Sequence, residues 1–415
     1  MSEERVTPFD FAPLVPAGSP APAARWTGWA KYNFTFGNNA PEEVPVADLQ
    51  AASAVALSRW GQRLADYRMV TGPQGHLPLR EFLVKKLKRD AGIDCSVDDI
   101  LLVSGSLQAL DLINGALLAP GDTVICERDN YEGSLNRYTR KGVNVVGIPL
   151  DKGGMQMDAL EAALAELKNK GVRPKFIYTI ATVQNPTATL LDEGRRKTLL
   201  ELAERYSVAV VEDDCYADLT WSGERPPALY ALSRSQNVIH VGSFSKTIAP
   251  ALRVGFLVAP WSIMSRILPL KTDAGSGGLE QMMLAEYCEV HFAEHVPHLR
   301  ARFRAKLDTM VAALNEYFGT AAEFDYPAGG IFLWVKLPDN VDTMRLREMA
   351  LAAGVAINPG PEWSTDKAYS RSRMRLCFAS PTHEEIRQGI AILADVCRRE
   401  FGVPERSANI QQRRA

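Results

Sequence analysis

Between about residues 98 and 260, short apolar runs alternate with longer stretches of helical periodicity. No other feature of the chain constrains its fold as much. Strand-like runs fall at 123–126, 143–148, 176–181 and 208–211, and helical patterns at 106–118, 157–170 and 194–206. Strand, helix, strand in repeated succession predicts an α/β fold, a mainly parallel sheet flanked by helices on both faces. Such sheets bind ligands outside the carboxyl ends of their strands, so chemistry is expected among the polar residues there.

Beyond about residue 297 the pattern changes. Residues 299–317 predict a long basic amphipathic helix, 329–335 and 373–379 read as strands, and 384–400 as a closing helix. At 415 residues, two domains are the default. The expected division is an N-terminal arm and part of a smaller α+β domain at 1–65, a large domain at 66–296, and the rest of the small domain at 297–415. Pro13, Pro16, Pro20 and Pro22 keep the arm out of regular helix. Trp26 and Trp29 predict that it packs over a groove, and the polar tail ending at Ala415 predicts fraying.

The segment Gly242-Ser243-Phe244-Ser245-Lys246-Thr247 lies between two β-branched runs, 238–241 and 254–258, with Arg253 seven residues past the lysine. Lys246 is therefore expected on a loop between buried strands, where desolvation disfavours its charged form. A neutral amine attacks an aldehyde and forms a Schiff base. The adjacent hydroxyls and Arg253 suit a phosphate group. A Schiff-base lysine with a phosphate clamp describes pyridoxal 5′-phosphate (PLP). The same residues also read as a solvated serine-rich turn. Ser243-x-x-Lys246 further matches the Ser-x-x-Lys of penicillin-binding enzymes, but the Ser-Asp-Asn and Lys-Thr-Gly that accompany it there are absent.

Other strand ends carry weaker signals. Ser104-Gly105-Ser106-Leu107 opens a helix, where free backbone N–H groups make an anion site or a plain serine cap. Asp213 ends a strand with Tyr216 three residues on, and a carboxylate there needs a cation such as a pyridinium nitrogen. Glu212 and Asp214 flank it, so the pattern leaves open which acid points inward. Asn185, in Gln184-Asn185-Pro186-Thr187, offers a donor to a phenolate oxygen or marks an Asn-Pro turn. Tyr131 follows another strand and can stack on a planar ring or sit half-buried in a turn.

Taken in order, these segments with Arg375-Leu376-x-Phe378 resemble the fold type I PLP enzymes of the aspartate aminotransferase superfamily, over residues 34–396. The nearest likeness is to the class I/II branch with 2-aminoadipate-type aminotransferases and the effector domains of PLP-binding regulators. The resemblance implies that Lys246 carries PLP, Asp213 pairs with the ring nitrogen, Asn185 and Tyr216 donate to the ring oxygen, and Tyr131 stacks on the ring. It implies a phosphate cup of Ser104, Gly105, Ser106, Leu107, Ser243, Ser245 and Arg253. Arg375 then grips the substrate α-carboxylate, a role suited to the planar guanidinium fork, with Gly37 and Asn185 nearby. The implied activity moves an amino group between an amino acid and a 2-oxo acid in a homodimer with shared sites. Decarboxylation, β- or γ-elimination, cyclisation, oxidation and a PLP sensor without turnover are the alternatives. Three positions depart from the family: Ala188 follows Thr187 where glycine is usual, Gly37-Asn38-Asn39 replaces paired glycines, and residues 68–74 after Tyr67 are longer than expected. Tyr67, the candidate for reaching the partner's phosphate, and Ser276 are affected.

Lys plus Arg is 47 and Asp plus Glu 49, and the net charge of −2 gives no electrostatic reason to expect nucleic acid or an anionic membrane as partner. No apolar run suits a membrane span, and the N-terminus lacks the basic start and apolar core of a signal peptide, so a cytoplasmic location is expected. No helix-turn-helix pattern precedes the PLP-like region, which argues against a DNA-binding regulator. The six scattered cysteines read as reduced structural thiols. His291-Phe292-Ala293-Glu294-His295 matches the inverted zinc motif H-x-x-E-H, leaving a zinc hydrolase as a remote alternative to an exposed helix end before Pro297.

Overall fold

The structure, a computed structural model, describes residues 9–16, 19, 21–67 and 72–405. Residues 68–71 beside Tyr67 and the polar tail after residue 405 lie outside it. The main sheet has seven strands: β1 (Ile100–Val103), β2 (Thr123–Glu127), β3 (Asn144–Ile148), β4 (Phe176–Thr179), β5 (Ala209–Asp213), β6 (Val238–Ser243) and β7 (Gly255–Val258). Their order is β1-β7-β6-β5-β4-β2-β3. Strands β2 to β6 run parallel, and β7 runs antiparallel to both its neighbours. The central strands are buried on both faces, which is why they read as near-continuous Val, Ile and Leu rather than as alternating patterns.

The main helices are α1 (Val46–Trp60), α2 (Gly105–Leu117), α3 (Glu132–Arg140), α4 (Met157–Asn169), α5 (Glu193–Arg205), α6 (Gly278–Tyr317) and α7 (His383–Phe401). Those expected at 106–118, 157–170 and 194–206 form within a residue or so of their expected ends. Helix α7 shows the local logic. Thr382 Oγ1 accepts from Glu385 N, Glu385 Oε2 accepts from Thr382 N, and Gly402 closes the helix at φ 71°.

Helix α6 departs from expectation. It begins at Gly278, not near residue 299, and passes through Pro297 without a break. An interior proline costs about 3 kcal/mol. Phe292, Val296, Leu299 and Phe303 are buried on either side of it, and each buried side chain is worth roughly 1.5–3 kcal/mol, so packing outweighs the lost bond. The division placed at residue 297 therefore falls inside a continuous helix.

A smaller sheet contains β8 (Phe332–Lys336), β9 (Asn358–Pro359) and β10 (Arg373–Cys377), with β10 in the middle and both pairings antiparallel. The two chain ends meet here. Tyr32–Asn33 pairs in parallel with Val355–Ala356, and Gly389 lets α7 close on the Phe34 ring, which an added Cβ would meet at 2.6 Å. Helix α1 packs instead on α6, where Arg59 and Trp60 both bond Glu286. The arm does not bury its tryptophans as expected. Trp26 is 72% and Trp29 67% exposed, edge-on to each other, with Trp29 also edge-on to Phe36.

Candidate active site

A cavity of about 440 Å³ opens at the carboxyl ends of the parallel strands. Asp213 ends β5, Asn185 follows β4, Tyr131 follows β2, Ser106 follows β1, and Lys246 follows β6. The small sheet and the segment 35–38 close it from the other side, through Arg375, Asn358, Trp363 and Gly37. Of the expected residues, Gly37, Ser106, Leu107, Tyr131, Asn185, Asp213, Tyr216, Ser245, Lys246, Arg253 and Arg375 line this one space.

Lys246 sits in the turn between β6 and β7, as the flanking strands predict. Its Nζ donates to the Gly37 carbonyl at 2.6 Å. Burial above all holds its pKa below the ordinary lysine range, and the charges of Arg375 and Arg253 act in the same direction. Gly37 thus contributes a carbonyl oxygen. A Cβ there would make only ordinary contact, 3.6 Å from Nζ.

Strand alternation settles which acid faces the cavity. Glu212 and Asp214 point away into a buried network, Glu212 to His240 Nδ1 at 2.9 Å and Leu229 N at 2.7 Å, and Asp214 to Arg225. Asp213 faces inward. Its Oδ2 accepts from the Tyr178 hydroxyl at 2.8 Å, while Oδ1 is buried with no partner among the described residues. Burial pushes this carboxyl up; hydrogen bonds from Cys215 and Tyr178 oppose the shift.

Arg253 lies at φ 51°, ψ 42°, a left-handed conformation rare for a side-chain-bearing residue, and such strain concentrates at working sites. Its guanidinium reaches Ser104 O at 3.2 Å and Ser245 Oγ at 3.5 Å. Gly105, at φ +74°, makes room for it, since an added Cβ would collide with that guanidinium. Ser104, Gly105 and Ser243 do not line the cavity. They stand behind it, with Ser243 Oγ bonding Ser245 Oγ at 2.9 Å.

Arg375 is buried. Its Nη1 donates to Asn185 Oδ1 at 3.0 Å and its Nη2 to the Thr35 carbonyl at 2.9 Å, with the guanidinium 3.7 Å from the Trp363 ring centre. Asn185 Nδ2 in turn donates to the Tyr216 hydroxyl at 3.3 Å. Tyr216 stands edge-on to Phe332, and Tyr131 lies 5.9 Å from Trp363. Ala188 holds φ 58°, so the turn keeps the left-handed residue that a glycine would supply.

Two sequence signals lie apart from the cavity. Tyr67 lies outside the cavity and is 87% exposed, against a separate small pocket with Ser276, whose Oγ accepts from Lys271. The zinc alternative has no geometry to support it. His291 and His295 lie mid-helix, His295 Nε2 donates to the Thr247 carbonyl at 2.7 Å, and His291 stacks on Tyr287. Among the described residues no cluster of three His, Cys, Asp or Glu could hold a metal. Five contributors went unrecognised in the sequence: Tyr178, Cys215, Glu132, Ile180 and Pro250. Tyr178 carried the one usable signal, since it lies next to the end of β4, which pairs with the strand that carries Asp213.

This architecture, with a lysine on the β6–β7 turn and an inward aspartate at a strand end, defines the fold type I PLP-dependent enzymes. The family described as aminotransferase class I and II matches residues 25–393, and the chain belongs to it. The chain is 34% identical over 365 residues to aromatic-amino-acid aminotransferase 1 of Thermococcus litoralis, covering 87% of each protein. It is 31% identical over 363 residues to the 2-aminoadipate transaminase of Thermus thermophilus, covering 86% of this chain and 88% of that one. The solved structure of a Pyrococcus horikoshii kynurenine aminotransferase in complex with PMP is similar at a TM-score of 0.84 and 34% identity, covering 89% of this chain and 91% of that one. The protein is a PLP-dependent aminotransferase.

Proposed function

We propose that Lys246 is the residue that binds PLP covalently and moves the proton at the substrate Cα. The observation that carries this reading is the convergence on one cavity of a lysine with lowered pKa, a carboxylate oxygen without a partner and a buried guanidinium. The residues fit the cofactor. Asp213 Oδ1 is an acceptor suited to a ring N–H, and the cradle of Ser106, Ser245 and Arg253, with Gly105 making room behind it, suits a phosphate. When bound, PLP supplies an electron sink for the pair left at Cα.

The protein's residues do the rest. Arg375 holds the α-carboxylate, pre-set by its bonds to Asn185 and Thr35. With PLP bound, Asp213 would keep the ring nitrogen protonated, Asn185 and Tyr216 would donate to the ring oxygen, and Tyr131 would lie against the ring. Lys246 Nζ leaves the Gly37 carbonyl and works as general base and then acid at Cα.

A homodimer belongs to the same proposal. Large apolar side chains stand exposed on the arm, Phe9, Phe11, Trp26 and Trp29 among them, and Tyr67 is free to reach a second copy. Six unpaired cysteines favour a reducing, cytoplasmic setting. The net charge of −2 favours small-molecule partners over nucleic acid or membrane. Lys246→Ala tests the core of the proposal: turnover and the visible absorbance of bound PLP should both be lost. A Lys246→Ala protein that transaminates normally would refute it.

A further inference from the structure

With Lys246 binding PLP, Arg253 its phosphate and Arg375 the α-carboxylate, every cationic side chain that lines the cavity among the described residues is assigned. The role of Glu132 rests on that reading of the site. Two acids line the cavity as well, Asp213 and Glu132. Asp213 serves the cofactor. Glu132 opens α3 immediately after Tyr131, where a helix N-terminus favours a carboxylate. Its Oε1 accepts from Asn136 Nδ2 at 2.9 Å, and Oε2 has no hydrogen-bond partner among the described residues. Glu362, the acid beside it, is held by Arg347 at 2.5 Å, whereas Glu132 makes no ion pair among the described residues. Burial, and then Glu362, push the Glu132 carboxyl up, while the charge of Arg375, which lines the same cavity, pulls it down. Phe36, Tyr131 and Trp363 give the same cavity aromatic walls.

We propose that Glu132 selects the substrate: an α-amino acid whose side chain has an apolar stem and ends in a cation or an N–H donor. Oε2 is the acceptor for that terminal group. A side chain ending in a second carboxylate meets a like charge here and finds no unassigned cation among the described residues of the cavity, and rejection by like charge is as effective a source of specificity as attraction. The preference is the reverse of the one named in the 2-aminoadipate transaminase relative.

The test uses the PLP-loaded enzyme and three amino acids of similar stem length: lysine, norleucine and 2-aminoadipate, ending in ammonium, methyl and carboxylate. The second-order rate constant of the first half-reaction is read from the change in cofactor absorbance, for wild type, Glu132→Gln and Glu132→Lys. Wild type should prefer lysine to 2-aminoadipate by about tenfold or more. Glu132→Gln should bring that ratio close to one, and Glu132→Lys should invert it. A wild-type ratio at or below one overturns the proposal even if neither variant folds. Norleucine consumed normally, with a lysine ratio that neither substitution moves, overturns it alone. If none of the three is consumed while another amino acid is, the proposal falls and the active-site reading stands; if no amino acid converts the cofactor, that reading falls as well.

Discussion

Replacing Tyr178 by Phe removes one oxygen from the middle of the main sheet and keeps the ring. The side chain is fully buried, and its edge contact with Tyr138, at 6.3 Å between ring centres, survives the change, so no cavity opens. What goes is the 2.8 Å bond to Asp213 Oδ2. Asp213 Oδ1 already lacks a partner among the described residues, so the change leaves both carboxylate oxygens short of a donor. A hydrogen bond to a charged group is worth about 1.5–3 kcal/mol. Each factor of ten in affinity is about 1.4 kcal/mol, so the dissociation constant for PLP should rise about ten- to hundredfold. The pH dependence has a definite sign. Burial already raises the Asp213 carboxyl, and losing a donor to its charged form raises it further. The charged form that pairs with the ring is lost as pH falls, so the acid limb of PLP binding should move to higher pH. Fluorescence titration with PLP across a pH series measures both effects, and a melting curve confirms that the variant is folded. A folded Tyr178→Phe protein with wild-type affinity and an unmoved acid limb would refute the reasoning.

Arg375→Lys replaces a planar fork, which holds Asn185 and Thr35 at once and stacks on Trp363, with a point charge. KM for the amino acid should rise about ten- to hundredfold, equivalent to roughly 1.5–3 kcal/mol, in steady-state kinetics; an unchanged KM would place the clamp elsewhere. His76 is buried against Trp60 and its pKa is lowered to about 4, chiefly by burial. The unfolded chain takes up that proton near pH 6.5, so this contribution to stability is whole above pH 6.5 and is lost as pH falls toward 4, by about 3 kcal/mol. Urea unfolding at two pH values should show the loss, and His76→Phe should shrink it. Ala188→Gly relieves a left-handed alanine at φ 58° and should stabilise the fold by about 0.5 kcal/mol, read as a higher urea midpoint.

The sheet and its flanking helices were legible in the sequence because burial on both faces leaves a signal within a few consecutive residues. The lysine was legible for the same reason, standing between two apolar runs. What escaped depends on partners distant in sequence. Glu212, Asp213 and Asp214 look alike in a row, and only His240, Arg225 and Tyr178, brought in from other strands and loops, sort them by face. Pro297 signalled a helix end that packing overrode. Trp26 and Trp29 signalled a groove that one chain does not offer them. Glu132 had no local signature, since a glutamate at the start of a helix is unexceptional until the cavity beneath it is seen.

The hydrogen bond from Arg375 to the Thr35 carbonyl joins positions 340 residues apart. A chain emerging from a ribosome has made the lysine, the aspartate and the whole phosphate cradle long before this bond can form. It also needs β10, whose edge partners Phe332–Lys336 must already be in place. On the role proposed for Arg375, products that stop before residue 375 hold the lysine and the aspartate but no grip for an amino acid. On that reading the grip is completed late in synthesis, when residues near 375 return to meet those near 35.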